Sequence, residues 1–207
     1  MYLTRIEIDT SKRKSMIALV NPNLFHGAIE SSFTIQEKKL WRIDRLYGRT
    51  YMLLVSENKP DLSAVAEQFG TESGWESREY GKYIDGITVG EKLRFRLAAN
   101  PVIIKSAGSG HRGEVLAHVT AEQQEKWLLD RAEKNGFSLN ADDFHTVNKE
   151  WIHFKKVKKD NKKVTFSRVV FEGILTVCNE ELFKNALYNG IGREKAYGCG
   201  LLTVSRK

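Results

Sequence analysis

The sequence is poor in the residues that build metal sites or disulfide frameworks. Among 207 residues there are two cysteines, Cys178 and Cys199, and five histidines. None of them falls at metal-ligand spacing, so no metal is expected. Two isolated cysteines suit a reduced, cytoplasmic protein. No apolar run approaches the roughly 20 residues of a membrane span. The start Met1-Tyr2-Leu3-Thr4-Arg5 is not that of a signal peptide. An RNP-type aromatic motif is also missing, so Trp41, Trp75, Trp127 and Trp151 read as core or half-buried residues. The two halves of the chain share no sequence identity that would prove an internal repeat.

What the chain does have is a core and a positive balance. Hydrophobic residues make up 41%, ordinary for a folded protein of one large or two small domains. Lys and Arg number 33 against 26 acidic residues, a net charge of +7 with a pI near 9.3. That balance favours a polyanionic partner. The positive charge concentrates in two places. Lys155, Lys156, Lys158, Lys159, Lys162 and Lys163 surround Asp160-Asn161, the pattern of a hairpin turn presenting lysines. Near the C-terminus, Gly190, Gly192, Gly198 and Gly200 frame Arg193 and Lys195. Bare backbone with two cations reads as a seat for phosphates, against the plainer reading of a tight helix-to-strand turn.

The periodicities predict a mixed α+β chain. Residues 2–8 alternate as a strand, and Phe25, Ile29 and Phe33 mark a helix. Residues 40–46 and 50–55 read as a hairpin, and Pro60-Asp61 opens a helix that Gly70 closes. Lys92–Leu97 reads as the fourth strand of this βαββαβ unit. The second half reads as a repeat, starting from 102–104 and 114–119. Thr120 with Gln123 forms a capping box, strands follow over 151–157 and 164–177, and Glu180–Asn189 is the last helix. The expected fold is two tandem ferredoxin-like (RRM-like) domains, 1–97 and 98–207.

Several ordered phrases carry a family resemblance. They are Met1-Tyr2-Leu3, the stretch Leu93-Arg94-Phe95-Arg96-Leu97-Ala98-Ala99-Asn100-Pro101, and Lys126-Trp127-Leu128 ahead of Asn135-Gly136-Phe137. Val170-Phe171-Glu172-Gly173 and the glycine run through Gly198-Cys199-Gly200-Leu201-Leu202 complete them. Together they resemble the CasE family, RAMP-superfamily endoribonucleases that process repeats in type I-E CRISPR Cascade systems. The resemblance spans essentially the whole chain. It implies two ferredoxin-like domains and a CRISPR repeat RNA hairpin as partner, cut at the 3′ base of its stem. It further implies metal-independent chemistry without a small-molecule cofactor, and retention of the mature guide RNA beside other Cascade subunits.

Such chemistry needs little equipment. The RNA 2′-hydroxyl attacks the neighbouring phosphorus and leaves a 2′,3′-cyclic phosphate. The protein supplies a base, an acid and positive charge on the phosphorane. Histidine suits either proton role, with an unperturbed pKa of about 6.5. A helical histidine beside Phe25 is most often packing or surface, but the resemblance implies that His26 is catalytic. The family pattern has a tyrosine three residues before this histidine, where the chain has Asn23. Asparagine donates hydrogen bonds but is no phenol-type acid, so Tyr197, Lys195 or Tyr47 are the alternatives for support. Gly27 stands where some relatives carry a larger polar residue. The expected RNA-binding set is Lys38, Lys39, Lys105, Arg112, the six hairpin lysines, Arg168, Arg193 and the four loop glycines. The remaining histidines, His111, His118, His145 and His153, read as surface residues, with His111 beside Arg112 a possible RNA contact. The rival readings are an RNA-binding subunit that does not cut, favoured by Asn23, and a ferredoxin-like small-ligand or interaction protein.

Overall fold

The computed structural model of the chain describes residues 1–106, 108, 113–156 and 162–206. His111, Arg112, Lys158, Lys159 and the expected Asp160-Asn161 turn lie outside the described residues. The first half comprises β1 (Tyr2–Ile8), α1 (Arg13–Val20), α2 (Asn23–Ser31), β2 (Lys39–Leu46), β3 (Arg49–Ser56), α3 (Ser63–Phe69) and β4 (Gly70–Glu79). Its antiparallel sheet runs β2-β3-β1-β4. A short helix, α4 (Gly81–Asp85), leads out of it.

The second half comprises β5 (Lys92–Ala99), β6 (Val102–Lys105), β7 (Glu114–Ala117), α5 (Ala121–Ala132), β8 (Phe137–Ser138), β9 (Phe144–Lys156), β10 (Lys162–Val177), α6 (Glu180–Asn189) and β11 (Leu202–Ser205). Its antiparallel sheet runs β11-β5-β10-β8, with β9 also pairing β10. Setting aside β6 and β7, and counting β8 and β9, which pair successive stretches of β10, as one second strand, both halves are βαββαβ units with strands ordered fourth, first, third, second. The fold is two tandem ferredoxin-like units.

The fourth strand of the first unit is β4, not Lys92–Leu97. β4 is a sheet edge rich in Glu and Ser with no clean apolar alternation, so periodicity does not announce it. Lys92–Leu97 belongs to β5, which sits centrally between β10 and β11. A division at 97/98 therefore falls inside β5, and sheet membership changes between Glu79 and Lys92. Residues 102–105 and 114–117 form a separate two-stranded ribbon instead of opening the second sheet. Proline has no N–H to offer a ladder, and Pro101 stands where β5 gives way to this ribbon.

The start signals of α5 and α6 are met. Thr120 and Gln123 form the capping box at α5, and the Asn179 side chain accepts the Leu182 N–H at 2.9 Å to start α6. The main core draws Phe95, Phe171 and Phe183 from the second half together with Leu40, Val55 and Tyr80 from the first. The halves are further joined at Arg42, which is 1% exposed. Its guanidinium grips the Asp44 carboxylate with two 2.8 Å hydrogen bonds. It also donates to the carbonyls of Arg96 (2.8 Å) and Leu201 (3.0 Å) and to the Thr203 hydroxyl (2.9 Å). A buried ion pair with its donors satisfied across two sheets fixes their relative placement.

Candidate nucleic-acid cleavage site

His26 lies one turn into α2, which is anchored by Phe25 and Ile29 pointing into the first core. Its side chain is 34% exposed, enough to meet a ligand. It lines a cavity of about 340 Å³ with Glu30, Lys38, Lys195 and Ala196. The C-terminal glycine loop comes to this helix from the other half. The Tyr197 ring meets His26 edge-on at 6.3 Å between centroids. Tyr197 is held by Phe154 at 4.9 Å and Phe166 at 6.0 Å, and the Lys156 ammonium sits 5.1 Å over its ring. Cation and aromatic packing of this kind keeps the ring in place.

The surroundings set the imidazole's proton affinity. Partial burial holds the His26 pKa below its ordinary value; Glu30 opposes this, while Lys156 and Lys39 push in the same direction. Glu30 Oε1 is 3.8 Å from His26 Nδ1, and Oε2 is 2.9 Å from Lys39 Nζ. At neutral pH this ring is a base ready to take a proton. Lys195 donates to the Asn189 carbonyl at 2.6 Å, and its pKa is lowered by burial and then by Lys38. Lys38, itself exposed, donates to the Asn189 side chain. Asn23 shares the His26 face of α2 by its spacing of three residues.

The expected site residues thus divide. His26, Tyr197, Lys195, Lys38, Lys39 and Lys156 converge. Lys39 is largely buried against Glu30 and the Phe33 ring, so it acts on the histidine more than on solvent. Lys155 and Lys163 are exposed at the open end of the β9–β10 ribbon; β10 begins at Lys162. Arg168 does not face outward as expected: it is nearly buried, with two hydrogen bonds (2.9 and 2.8 Å) to Glu150. Arg193 lines a different cavity beside Trp127 and Ile103, and Lys105 lies on the outlying β6–β7 ribbon. Tyr47 is fully exposed in the β2–β3 turn.

The four loop glycines all take positive φ, but what they approach is their own chain. At Gly198 a Cβ would come within 3.0 Å of the Trp41 ring. At Gly190 it would meet the Gly200 carbonyl at 2.8 Å and Leu40 at 2.9 Å. Gly190, with φ 70° and ψ 162°, occupies a region open essentially to glycine alone. The loop is packed tightly against β2, and that packing delivers Lys195 and Tyr197 to His26. Cys199 beneath it is fully buried, its thiol pushed up to about 12 by burial, which makes it packing and not a nucleophile.

A family profile described as CRISPR associated protein matches residues 1–206. The chain belongs to that family. This CRISPR associated protein is 27% identical to the CRISPR-associated endoribonuclease Cse3 of Thermus thermophilus, over 99% of this chain and 100% of the relative. It is 32% identical to the CRISPR system Cascade subunit CasE of Escherichia coli K12, over 75% and 74%. A solved Cse3 bound to 19 nt RNA superposes with a TM-score of 0.84 at 26% identity, covering 99% and 100%. The Escherichia coli Cas6e crystal structure, at 21% identity and TM-score 0.67, shares the fold.

Two features of this CRISPR associated protein are invisible to motif reading. Glu30 orients toward His26 from one turn on, and only the spacing of four residues signals it. Trp151, expected in the core or half-buried, is 46% exposed. Among the described residues no cluster of His, Cys, Asp and Glu converges as metal ligands, and no helix is long and apolar enough to cross a membrane.

Proposed function

We propose that the chain is a CRISPR repeat endoribonuclease that cuts precursor CRISPR RNA at the 3′ base of a hairpin stem and keeps the mature guide RNA within Cascade in the cytoplasm. The observation that carries this reading is His26, accessible and low in proton affinity, at the rim of a cavity that also holds Lys38 and Lys195. In this reading His26 moves the proton of the 2′-hydroxyl or of the departing 5′-oxygen. Lys38 and Lys195 offset charge on the phosphorane, and Tyr197 from the far end of the chain stands beside the histidine where the family tyrosine is replaced by Asn23. Lys155, Lys156 and Lys163 hold stem phosphates, giving affinity more than sequence choice. The likeness to a named endoribonuclease along the whole chain supports the same reading.

The test is cleavage of the repeat hairpin from the chain's own CRISPR locus, in excess EDTA, by wild type and His26→Ala. One cut is expected with wild type, blocked by a 2′-deoxy at the scissile nucleotide. His26→Ala is expected to slow it by a factor of roughly 10² to 10⁴ while binding persists. Asn23 favours a second reading, a guide-holding subunit that does not cut; tight binding by wild type without any product would establish it.

A further inference from the structure

β9 and β10 run on together past the rest of their sheet, and the two faces of this ribbon differ. On one face Ile152, Phe154 and Phe166 pack with Tyr197 and Cys199, toward His26. Strand alternation puts Trp151, His153 and Lys155 on the other face, opposite Ser167, Thr165 and Lys163 in register. There the Trp151 ring, 46% exposed, stacks on His153 at 6.3 Å and 18°. The His153 ring is in turn fixed by a 3.1 Å hydrogen bond between Nδ1 and the Thr165 hydroxyl. Next along the same face come the exposed Lys155 and Lys163.

An indole left half in water forgoes part of a large burial gain. Protein-binding surfaces that use tryptophan are depleted in lysine; this one runs directly into a lysine pair. A flat, pre-stacked aromatic pair with cations one step along is what single-stranded nucleic acid uses, a base on the ring and phosphates on the lysines. Bases inside a stem already have both faces stacked, so only an unpaired one can extend the pair. We infer that Trp151 and His153 form a platform for an unpaired nucleobase of the RNA flanking the hairpin stem, with Lys155 and Lys163 on the adjoining phosphates. This rests on the RNA-binding reading above and adds a second contact surface, on the back of the ribbon that faces the cleavage site.

The experiment uses the non-cleaving His26→Ala chain and two RNAs, a blunt repeat hairpin and the same hairpin with short single-stranded flanks. Trp151→Ala is expected to weaken binding of the flanked RNA roughly 5- to 150-fold and leave the blunt hairpin unchanged. Trp151→Phe should keep most of the affinity, and 2-aminopurine placed in the flank should be quenched only when an aromatic residue is present. Unchanged affinity for flanked RNA, or an equal loss on both RNAs, overturns the platform. Failure of the parent chain to bind either RNA overturns the RNA reading itself, and the platform with it.

Discussion

The two ferredoxin-like units order their strands alike, yet they contribute to the cavity in different ways. The first unit offers a helix: α2 is held by Phe25 and Ile29 and presents a single titratable ring, His26. The second offers loops and an extended ribbon, carrying Lys195, Tyr197 and Lys156 to the same place. The first unit sets Glu30, Lys38 and Lys39 around its own histidine, whereas Lys195, Lys156 and Tyr197 come from the second. The same architecture, used twice, supplies the titratable ring from one copy and completes its cationic and aromatic surroundings from the other.

The sharpest way to break that division is to unlock the seam. Arg42→Ala leaves the buried Asp44 carboxylate short of its two-point partner, with Arg96 Nε at 3.0 Å as the remaining cation. A loss of about 3 kcal/mol is expected, readable as a lower denaturation midpoint with the slope unchanged. Cleavage by the surviving folded fraction should also fall, because both sides of the cavity depend on this junction. A smaller change separates packing from RNA contact in the glycine loop. Gly198→Ala has to hold φ near 81° and crowd Trp41, so about 1 kcal/mol or more of stability should go. If Gly198 instead contacts RNA directly, affinity drops while thermal stability holds.

The subtlest test concerns pH. Because the His26 pKa is depressed, the limb of the kcat/KM profile that reports it should have its midpoint below 6.5. Lys156→Ala removes a depressing charge and should raise that midpoint, whereas Glu30→Gln removes the opposing one and should lower it. Stability carries the same signature. Between 6.5 and the folded-state value the unfolded chain takes up the His26 proton more readily, so folding weakens as pH falls through that window. A midpoint unmoved by either variant would separate the cationic surroundings from the histidine's titration.

Much of this was legible in the chain itself. α5 and α6 announce themselves through Thr120, Gln123 and the acids after Asn179, because helix caps are local chemistry. β4 was hidden because an edge strand such as Gly70–Glu79 needs no apolar alternation to pair. Arg168 was misplaced for a related reason. It lies in an alternating strand, and alternation says which residues share a face but not which face is covered.

The residue types determined the chemistry available: a histidine on a short helix, clustered lysines, and glycines that permit a crowded turn. They also determined where α5 and α6 begin, since a cap depends on neighbours a few positions away. Only the tertiary structure decided that Tyr197 stands beside His26, that Lys39 answers Glu30 instead of solvent, and that Trp151 is left half exposed. Those outcomes follow from two sheets docking through a shared core and the Arg42 junction, and docking sums contacts between segments that no local pattern links.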